Sequence, residues 1–314
     1  PRPVLPILIG GLKKLEYRGY DSAGCAVVTP DNTMLVFKAK GKVSNLEEKA
    51  KECRQTCTLG IAHTRWATHG IPSETNAHPH LSQSGNLAIV HNGIIENYAT
   101  LRDQLRKRGY TFKSETDTEV LVQLIEYIMN IRHSDLATSV RSALRLCIGA
   151  YAIAVVDRRV PTQMVAARKS SPLAIGIGKE NGEFFIASDA SPIAEYTNRI
   201  VYLNDEDVAL IEQGKELQIE NLHSGSVDYE IKEVDLDLTM LDKGGFPHFM
   251  LKEIFDQPTV LKDCMRGRII ERDGSLRVVL SAVEQHKQRL VSARRFTIVS
   301  CGTSWHAGLI GKQL

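Results

Sequence analysis

The succession of helix-like and strand-like segments constrains the fold of this chain most. Apolar residues recur at helical spacing in residues 5–15 and 116–128, and the first strand patterns lie between these two segments. Beyond residue 145 strand patterns dominate, at residues 151–157, 163–168, 173–177, 184–188, 200–203 and 208–212. Many strands framed by amphipathic helices are typical of α+β proteins in which helices cover the outer faces of the sheets.

Length and charge exclude several classes of protein. The 314 residues suit two domains, and 39 basic against 37 acidic residues give a net charge of +2. Such a balance offers no electrostatic reason to expect nucleic acid or an anionic membrane as a partner. The longest apolar run, residues 4–12, contains proline and glycine and is about half as long as a membrane span. We therefore expect no nucleic-acid partner and no membrane partner.

The cysteine content indicates the cellular compartment of the protein. Six cysteines are too few for a disulfide scaffold in a chain of this length, and no signal or transit peptide precedes the first helical pattern. These features predict a reducing, cytoplasmic setting.

The two ends of the chain are informative as well. The chain starts at Pro1 rather than Met, and structured patterns reach both of its ends. We therefore interpret the sequence as a fragment that is truncated at both termini.

The patterns divide the chain into three parts. Residues 1–234 hold the helices and strands of a first domain. Residues 235–285 begin with a stretch typical of a linker and continue with connecting helices, one of them expected near residues 274–290. Residues 286–314 contain a strand pattern at 296–299, a turn and a helix, and this order is typical of the start of an α/β domain.

Half of the ten histidines fall within residues 60–97, at His63, His69, His78, His80 and His91. A zinc site favours short spacings such as H-E-x-x-H with acidic or cysteine ligands nearby. Here no cysteine lies between Cys57 and Cys147, and the histidine spacings do not match. We expect no metal and interpret the cluster as hydrogen-bonding histidines, with a metalloenzyme as the alternative.

Two charged side chains are candidates for binding a small zwitterion. Arg65 directly follows a strand, and its guanidinium suits a carboxylate or phosphate, with Thr68 and His69 as nearby donors. The alternative is an internal ion pair beside a partly buried Trp66. Asp117 lies in the first turn of a helix that begins with a capping-box pattern. It is a candidate for receiving an ammonium group, and complementing the helix dipole is the alternative.

Asn92 and Gly93 are candidates for an oxyanion hole. A side-chain amide next to a glycine N–H, at the end of a strand, can stabilise a developing oxyanion, because glycine lets a reacting carbonyl approach closely. The alternative is an ordinary Asn-Gly turn. Together with Arg65 and Asp117, this pair would suit an amino acid with a reactive side-chain carbonyl. The set lacks a nucleophile.

A third candidate site follows the strand pattern at 296–299. The strand runs into Gly302, Thr303 and Ser304 and then into a helix. This order presents backbone N–H groups and hydroxyls to a phosphate at a helix N-terminus. The alternative is a simple turn between a strand and a helix.

Five further motifs follow one another along the chain: LEYRGYDSAG at 15–24, TRWATHG at 64–70, NAHPH at 76–80, HNG at 91–93 and SETDTE at 114–119. In this order they resemble the motifs of the glutamine–fructose-6-phosphate aminotransferase family. The CGTS run at 301–304 narrows the resemblance further, toward a sugar isomerase. The resemblance implies an N-terminal-nucleophile fold, a four-layer sandwich of two sheets between helices, in a glutaminase domain at residues 1–234. It also implies that the chain continues into the beginning of an α/β sugar-isomerase domain.

The resemblance also implies a glutamine site. The position of Arg65 matches the guanidinium that holds the α-carboxylate of glutamine, helped by the positions of Thr68 and His69. Asp117 matches the carboxylate that receives the α-amine. No metal or organic cofactor is implied.

Other matched positions concern the reaction itself. Asn92 and the N–H of Gly93 match the oxyanion hole, and Trp66 matches a residue that gates the passage of ammonia between domains. Thr303 and Ser304 match positions that touch the sugar phosphate.

The implied activity is the conversion of fructose 6-phosphate to glucosamine 6-phosphate, with ammonia from glutamine hydrolysis, by a homo-oligomer of two or more subunits. The family's nucleophile is an N-terminal cysteine activated by its own α-amine, and its position lies upstream of Pro1. Cys25 has no free amine and does not replace it. We expect the chain itself to bind glutamine or glutamate without hydrolysis. A non-catalytic binding module and another class-II glutamine amidotransferase remain the alternatives.

Overall fold

The computed structural model describes residues 2–66, 69–179, 182–234, 245–265, 268–272, 274–279 and 286–313. The chain divides into two compact units, Pro1–Asp242 and Lys243–Leu314. Across the described ranges, every helix is too short or too polar to cross a membrane.

Three antiparallel sheets build the described part of the first unit. The smallest consists of β1 (Ser22–Val28), β2 (Met34–Lys40) and β3 (Leu59–Arg65), in the order β2-β1-β3. The largest contains β4 (His80–Leu81), β5 (Leu87–Ile95), β6 (Gly149–Asp157), β7 (Gln163–Lys169), β11 (Asp207–Glu212), β12 (Gln218–Asn221) and β13 (Gly225–Ser226). Its order is β13-β12-β11-β7-β6-β5-β4. The third contains β8 (Ala174–Ile177), β9 (Phe184–Ala187), β10 (Arg199–Tyr202) and β14 (Lys232–Glu233), in the order β14-β10-β8-β9.

Helices cover both outer faces of these sheets. They are α1 (Val4–Leu15), α2 (Val43–Ala50), α3 (Tyr98–Arg106), α4 (Asp117–Arg132) and α5 (Leu136–Leu144). Apolar side chains of α1 and α2 pack on the three-stranded sheet, and those of α3, α4 and α5 pack on the seven-stranded sheet. The inner face of the seven-stranded sheet packs on the other two sheets. The layers are helix, sheet, sheet and helix, which confirms the predicted sandwich.

The start of α4 shows how the sequence positions a site residue. The hydroxyl of Thr116 accepts a hydrogen bond from the Glu119 N–H at 3.2 Å, as the N-cap prediction requires. The Glu119 carboxylate accepts the N–H groups of Lys113 and Ser114 at 2.9 and 2.6 Å. Because α4 lies between α3, α5 and the sheet, its first turn is buried, and Asp117 with it.

The second unit contains α6 (Phe249–Met265), β15 (Ile269–Arg272), β16 (Ser275–Val278), α7 (Lys287–Val291) and α8 (Gly302–Gln313). The helix predicted at 274–290 is wrong over its first turn, because β15 and β16 form an antiparallel hairpin there. Gly274 takes a left-handed φ of 71° in the connection. An Asp-Gly pair between two strands favours such a turn over a helix.

The strand predicted at 296–299 is not formed, since these residues pair with no strand in the described part of the second unit. A strand exists only where a ladder partner satisfies its backbone groups. The predicted linker falls largely on residues 235–244, which lie outside the described residues. The division at residues 234 and 285 stays a prediction.

Candidate functional site

A groove of about 520 Å³ opens in the first unit between α1, β3, β5, β6 and β9. This volume suits a small molecule. The predicted site residues that line the groove are Arg65, Trp66, His69, Asn92, Gly93 and Asp117. Thr68 lies outside the described residues. The fold therefore brings together, in one groove, side chains that are more than fifty positions apart in the sequence.

Asp117 places a carboxylate in the wall of the groove. Its side chain is buried, with 3% of the residue exposed, and its Oδ2 accepts the N–H of Ile95 at 2.8 Å. The nearest charged or titratable partners are His69 and His91, each with Nδ1 at 3.9 Å from a carboxylate oxygen. In the described part of the chain no lysine or arginine forms an ion pair with Asp117. A buried carboxylate of this kind is suited to a cationic ligand.

Arg65 is buried, and its guanidinium holds a loop. Its N–H groups donate to the carbonyl of His69, to that of Gly70 at 3.0 Å and to that of Ile71 at 3.3 Å. Asp21 lies 3.6 Å from the same guanidinium, so the internal ion pair that was the alternative is present. Sequence reasoning missed Asp21. Only the pairing of β1 with β3 could have revealed Asp21, because it sets the next residue, Ser22, opposite Arg65.

Trp66 is exposed, whereas the alternative interpretation of Arg65 from the sequence had it partly buried. Its side chain lies over Gly19, where an added Cβ would come within 1.9 Å of the indole Cζ3. Gly19 also has a φ of 113°, a conformation that glycine adopts without strain. The glycine of the LEYRGYDSAG motif therefore makes room for the tryptophan.

Asn92 and Gly93 lie within β5 and not at its end, so neither the predicted strand end nor the Asn-Gly turn is present. They pair with Ala152 and Tyr151 of β6. A Cβ on Gly93 would lie 2.1 Å from the carbonyl oxygen of Ala150, and its φ is 129°. Only glycine fits this close approach of two strands. The Asn92 side chain is exposed to the groove, and its Oδ1 lies 2.8 Å from Nε2 of His63.

His63 and His78 stack under the groove with their ring centroids 4.4 Å apart. Burial lowers the pKa of His63 to about 4 and lowers that of His78 well below its ordinary value. Both rings are therefore neutral at pH 7. The sequence singled out His63 for a metal or a structural role and gave no sign of its contact with Asn92, because that contact joins two sheets.

His80 and His91 are hydrogen-bonded to the start of α4. Nε2 of His80 lies 3.1 Å from the hydroxyl of Thr116, and Nδ1 of His91 lies 3.0 Å from that of Thr118. Burial lowers the pKa of both histidines, although Asp117 partly opposes this for His91. Among the described residues no group of three histidine, cysteine or acidic side chains is placed to hold a metal ion. His63, His80 and His91 of this cluster each lie within hydrogen-bond distance of a polar side chain.

No cysteine of the described residues lines the groove. Cys25 is buried in the core between α1, α2 and the three-stranded sheet. Burial raises the pKa of its thiol to about 12. Cys25 is therefore not the nucleophile of this groove, as expected from the sequence.

Thr303 and Ser304 lie in the second unit, in the first turn of α8, and both are exposed. Gly302 starts the helix with a φ of 59°. The structure places both residues at a helix N-terminus, and their contact with a sugar phosphate stays a prediction.

The chain is similar to known proteins, and the similar segments include the predicted groove residues. A family model described as a glutamine amidotransferase domain matches residues 63–195. The glutamine–fructose-6-phosphate aminotransferase of Bacteroides thetaiotaomicron is 58% identical over 314 residues, which are 100% of this chain and 50% of that relative. Those of Chlorobaculum tepidum and Thermus thermophilus are 51% and 44% identical, again over 100% of this chain and 50% of each relative. The chain spans about half the length of the curated relatives it matches.

Solved structures share the fold. A glutamine phosphoribosylpyrophosphate amidotransferase from B. subtilis has a TM-score of 0.59 at 24% identity, covering 70% of this chain and 47% of that one. A structure titled as the allosteric regulatory enzyme of purine biosynthesis has a TM-score of 0.59 at 26% identity, with the same two coverages.

Proposed function

We propose that this chain is part of an enzyme with the activity of the glutamine–fructose-6-phosphate aminotransferases, to which it is similar over its whole length, and that the part matching a glutamine amidotransferase domain hydrolyses glutamine. In this proposal glutamine supplies ammonia in the first unit. The ammonia then condenses with the carbonyl group of fructose 6-phosphate, and isomerisation gives glucosamine 6-phosphate with the loss of one water. The identity of 58% to one such relative and the groove in the matching domain both support it.

The observation that carries the proposal is the buried carboxylate of Asp117 in the groove. One of its oxygens accepts a backbone N–H, and in the described part of the chain no lysine or arginine neutralises it. Burying an unpaired charge is unfavourable, so an ammonium group that binds there gains a charge-assisted hydrogen bond. The α-amine of glutamine is such a group.

The side-chain carbonyl and the α-carboxylate of glutamine also have partners in the same groove. Asn92 and Gly93 provide amide N–H groups for the side-chain carbonyl, which becomes an oxyanion when it is attacked. The guanidinium of Arg65 donates to neutral loop carbonyls. A carboxylate is a stronger acceptor than a carbonyl, and we assign the α-carboxylate to Arg65 in exchange for one of these bonds. His69 lines the same part of the groove, and we assign it and Thr68 to that end of glutamine from the resemblance alone.

The hydrolytic step is a nucleophilic substitution at the side-chain amide. A thiolate adds to the carbonyl carbon, the C–N bond breaks, and the departing nitrogen takes a proton and leaves as ammonia. Water then cleaves the thioester to glutamate and restores the thiol. The thiolate is the N-terminal cysteine that the resemblance implies and not one of the cysteines of this chain.

The remaining assignments concern the whole enzyme. Trp66 lines the groove and is 70% exposed, and we assign to it the gating of ammonia that the resemblance implies. Thr303 and Ser304 lie at the N-terminus of α8, where backbone N–H groups favour a phosphate. We assign the enzyme to the cytoplasm, because all six cysteines are unpaired, and we expect a homo-oligomer.

Transfer of labelled nitrogen tests this function. The full-length protein is incubated with fructose 6-phosphate and glutamine that carries ¹⁵N in its side-chain amide, and the products are analysed by mass spectrometry. We expect ¹⁵N in glucosamine 6-phosphate and none in the α-amine of glutamate. Unlabelled amino sugar, or labelled ammonia without amino sugar, would contradict the proposal.

A further inference from the structure

The side-chain amide of Asn92 is held from the opposite sheet. His63 lies on β3 of the three-stranded sheet, Asn92 lies on β5 of the seven-stranded sheet, and His63 Nε2 is 2.8 Å from Asn92 Oδ1. We propose that His63 is a positioning residue, which holds the Asn92 amide so that its N–H groups meet the developing oxyanion. The inference rests on the proposed function, because it assigns a role within that site.

The His63 ring is supported on one face by a neighbouring ring. It is partly buried, stacks on the ring of His78 with an interplanar angle of 26°, and lies on the strand that carries Arg65. Besides His78, the charged and titratable groups that face it are His91 and Arg65, which disfavour its protonation, and Asp21, which favours it. Burial outweighs all three, so the ring is neutral.

A neutral imidazole has one N–H, and the surroundings select its position. Nδ1 of His63 is a buried atom that has no hydrogen-bond partner among the described residues. A proton on Nδ1 would therefore be a buried donor without an acceptor, and such donors are rare in proteins. A proton on Nε2 is donated to Asn92 Oδ1. This tautomer leaves both N–H bonds of the Asn92 amide for the groove.

The orientation of Asn92 matters because an amide has a donor end and an acceptor end. An oxyanion hole needs the donor end, and a rotated amide would present Oδ1 and repel the oxyanion. Asn92 is exposed on the groove side, so the surrounding residues do not otherwise fix its rotation. Loss of the His63 donor should therefore lower kcat for glutamine hydrolysis and leave KM nearly unchanged.

Two variants of the full-length protein separate the hydrogen bond from the shape of the ring. His63→Phe keeps a ring for the stack on His78 and removes the donor, whereas His63→Gln keeps an N–H donor and removes the ring. We expect His63→Phe to lower kcat by about 10- to 100-fold, below the effect of removing an oxyanion donor outright. We expect His63→Gln to restore most of the activity. His223→Phe, on an exposed residue outside the groove, is the control and should match the wild type.

Nitrogen NMR of the wild-type chain tests the tautomer directly and does not depend on glutamine. With ¹⁵N-labelled histidine, we expect His63 as the neutral Nε2–H form at pH 7, assigned by comparison with the His63→Gln spectrum. The Nδ1–H form, a charged ring, an unchanged kcat in His63→Phe, or equal losses in both variants would overturn the proposal. If the wild-type enzyme does not release ammonia from glutamine, the proposed function fails, and with it the catalytic role of His63, while the tautomer result stands.

Discussion

At the residue scale, Gly19 is the position where a single added methyl group has a defined consequence. The Cβ of Gly19→Ala would lie 1.9 Å from Cζ3 of Trp66, so the indole must move. We expect Gly19→Ala to change the fluorescence emission of Trp66, measured in a Trp305→Phe background that leaves Trp66 as the only tryptophan. We also expect a loss of about 1–3 kcal/mol in the free energy of unfolding, from the clash and the left-handed backbone.

Gly85→Ala is the matched control for Gly19→Ala. Gly85 has a φ of 72°, and a Cβ there would meet no atom within 4 Å. It therefore reports the cost of the left-handed backbone alone, with no change at Trp66. Equal emission spectra for the two variants would contradict the contact between Gly19 and the indole.

The sequence identified the groove side chains but not their partners. Arg65, His69, Asn92, Gly93 and Asp117 were each predicted from local signals, and all five line the groove. The Asp21 contact of Arg65 and the His63 contact of Asn92 join residues 44 and 29 positions apart. Such contacts depend on sheet pairing and sheet packing, which no local pattern contains.

At the scale of elements, the bounds of a strand were predictable where both of its faces are buried, and were not predictable where pairing with a distant strand decides them. β6 is an almost continuous apolar run, and its predicted bounds differ from the observed Gly149–Asp157 by two residues. β5 was predicted to end at Asn92 and Gly93, because these are turn residues by composition, and it continues to Ile95. Pairing with β6 overrides that preference. The hairpin at β15 and β16 was missed because apolar residues at mixed spacing favoured a helix.

At the scale of the whole molecule, the buried histidines make the stability of the fold depend on pH. Burial lowers the pKa of His63 from 6.5 to about 4, and lowers those of His78, His80 and His91 as well. Below pH 6.5 the unfolded chain therefore binds protons that the folded chain does not, and stability is lost as the pH falls. His63 alone should reduce the free energy of unfolding by about 2 kcal/mol between pH 7 and pH 5.

Urea unfolding at pH 7.5, 6 and 5, followed by circular dichroism, checks this pH dependence. The midpoint should fall steadily toward pH 5. His63→Gln should weaken the trend, since one buried titrating group is removed, and His223→Gln should leave it unchanged. A midpoint that stays constant from pH 7.5 to pH 5 would show that these rings are not held neutral by the fold.

The central claim is that Asp117 receives the amine of glutamine in this groove. Isothermal titration of the chain with glutamate tests it, using the wild type, Asp117→Asn and Asp103→Asn. Asp117→Asn keeps an acceptor for the Ile95 N–H and removes the charge, while Asp103 is an exposed aspartate of α3. We predict that Asp117→Asn weakens binding by about 10- to 100-fold, the equivalent of one charge-assisted hydrogen bond, and that Asp103→Asn binds like the wild type. Equal affinities for the wild type and Asp117→Asn would contradict the account.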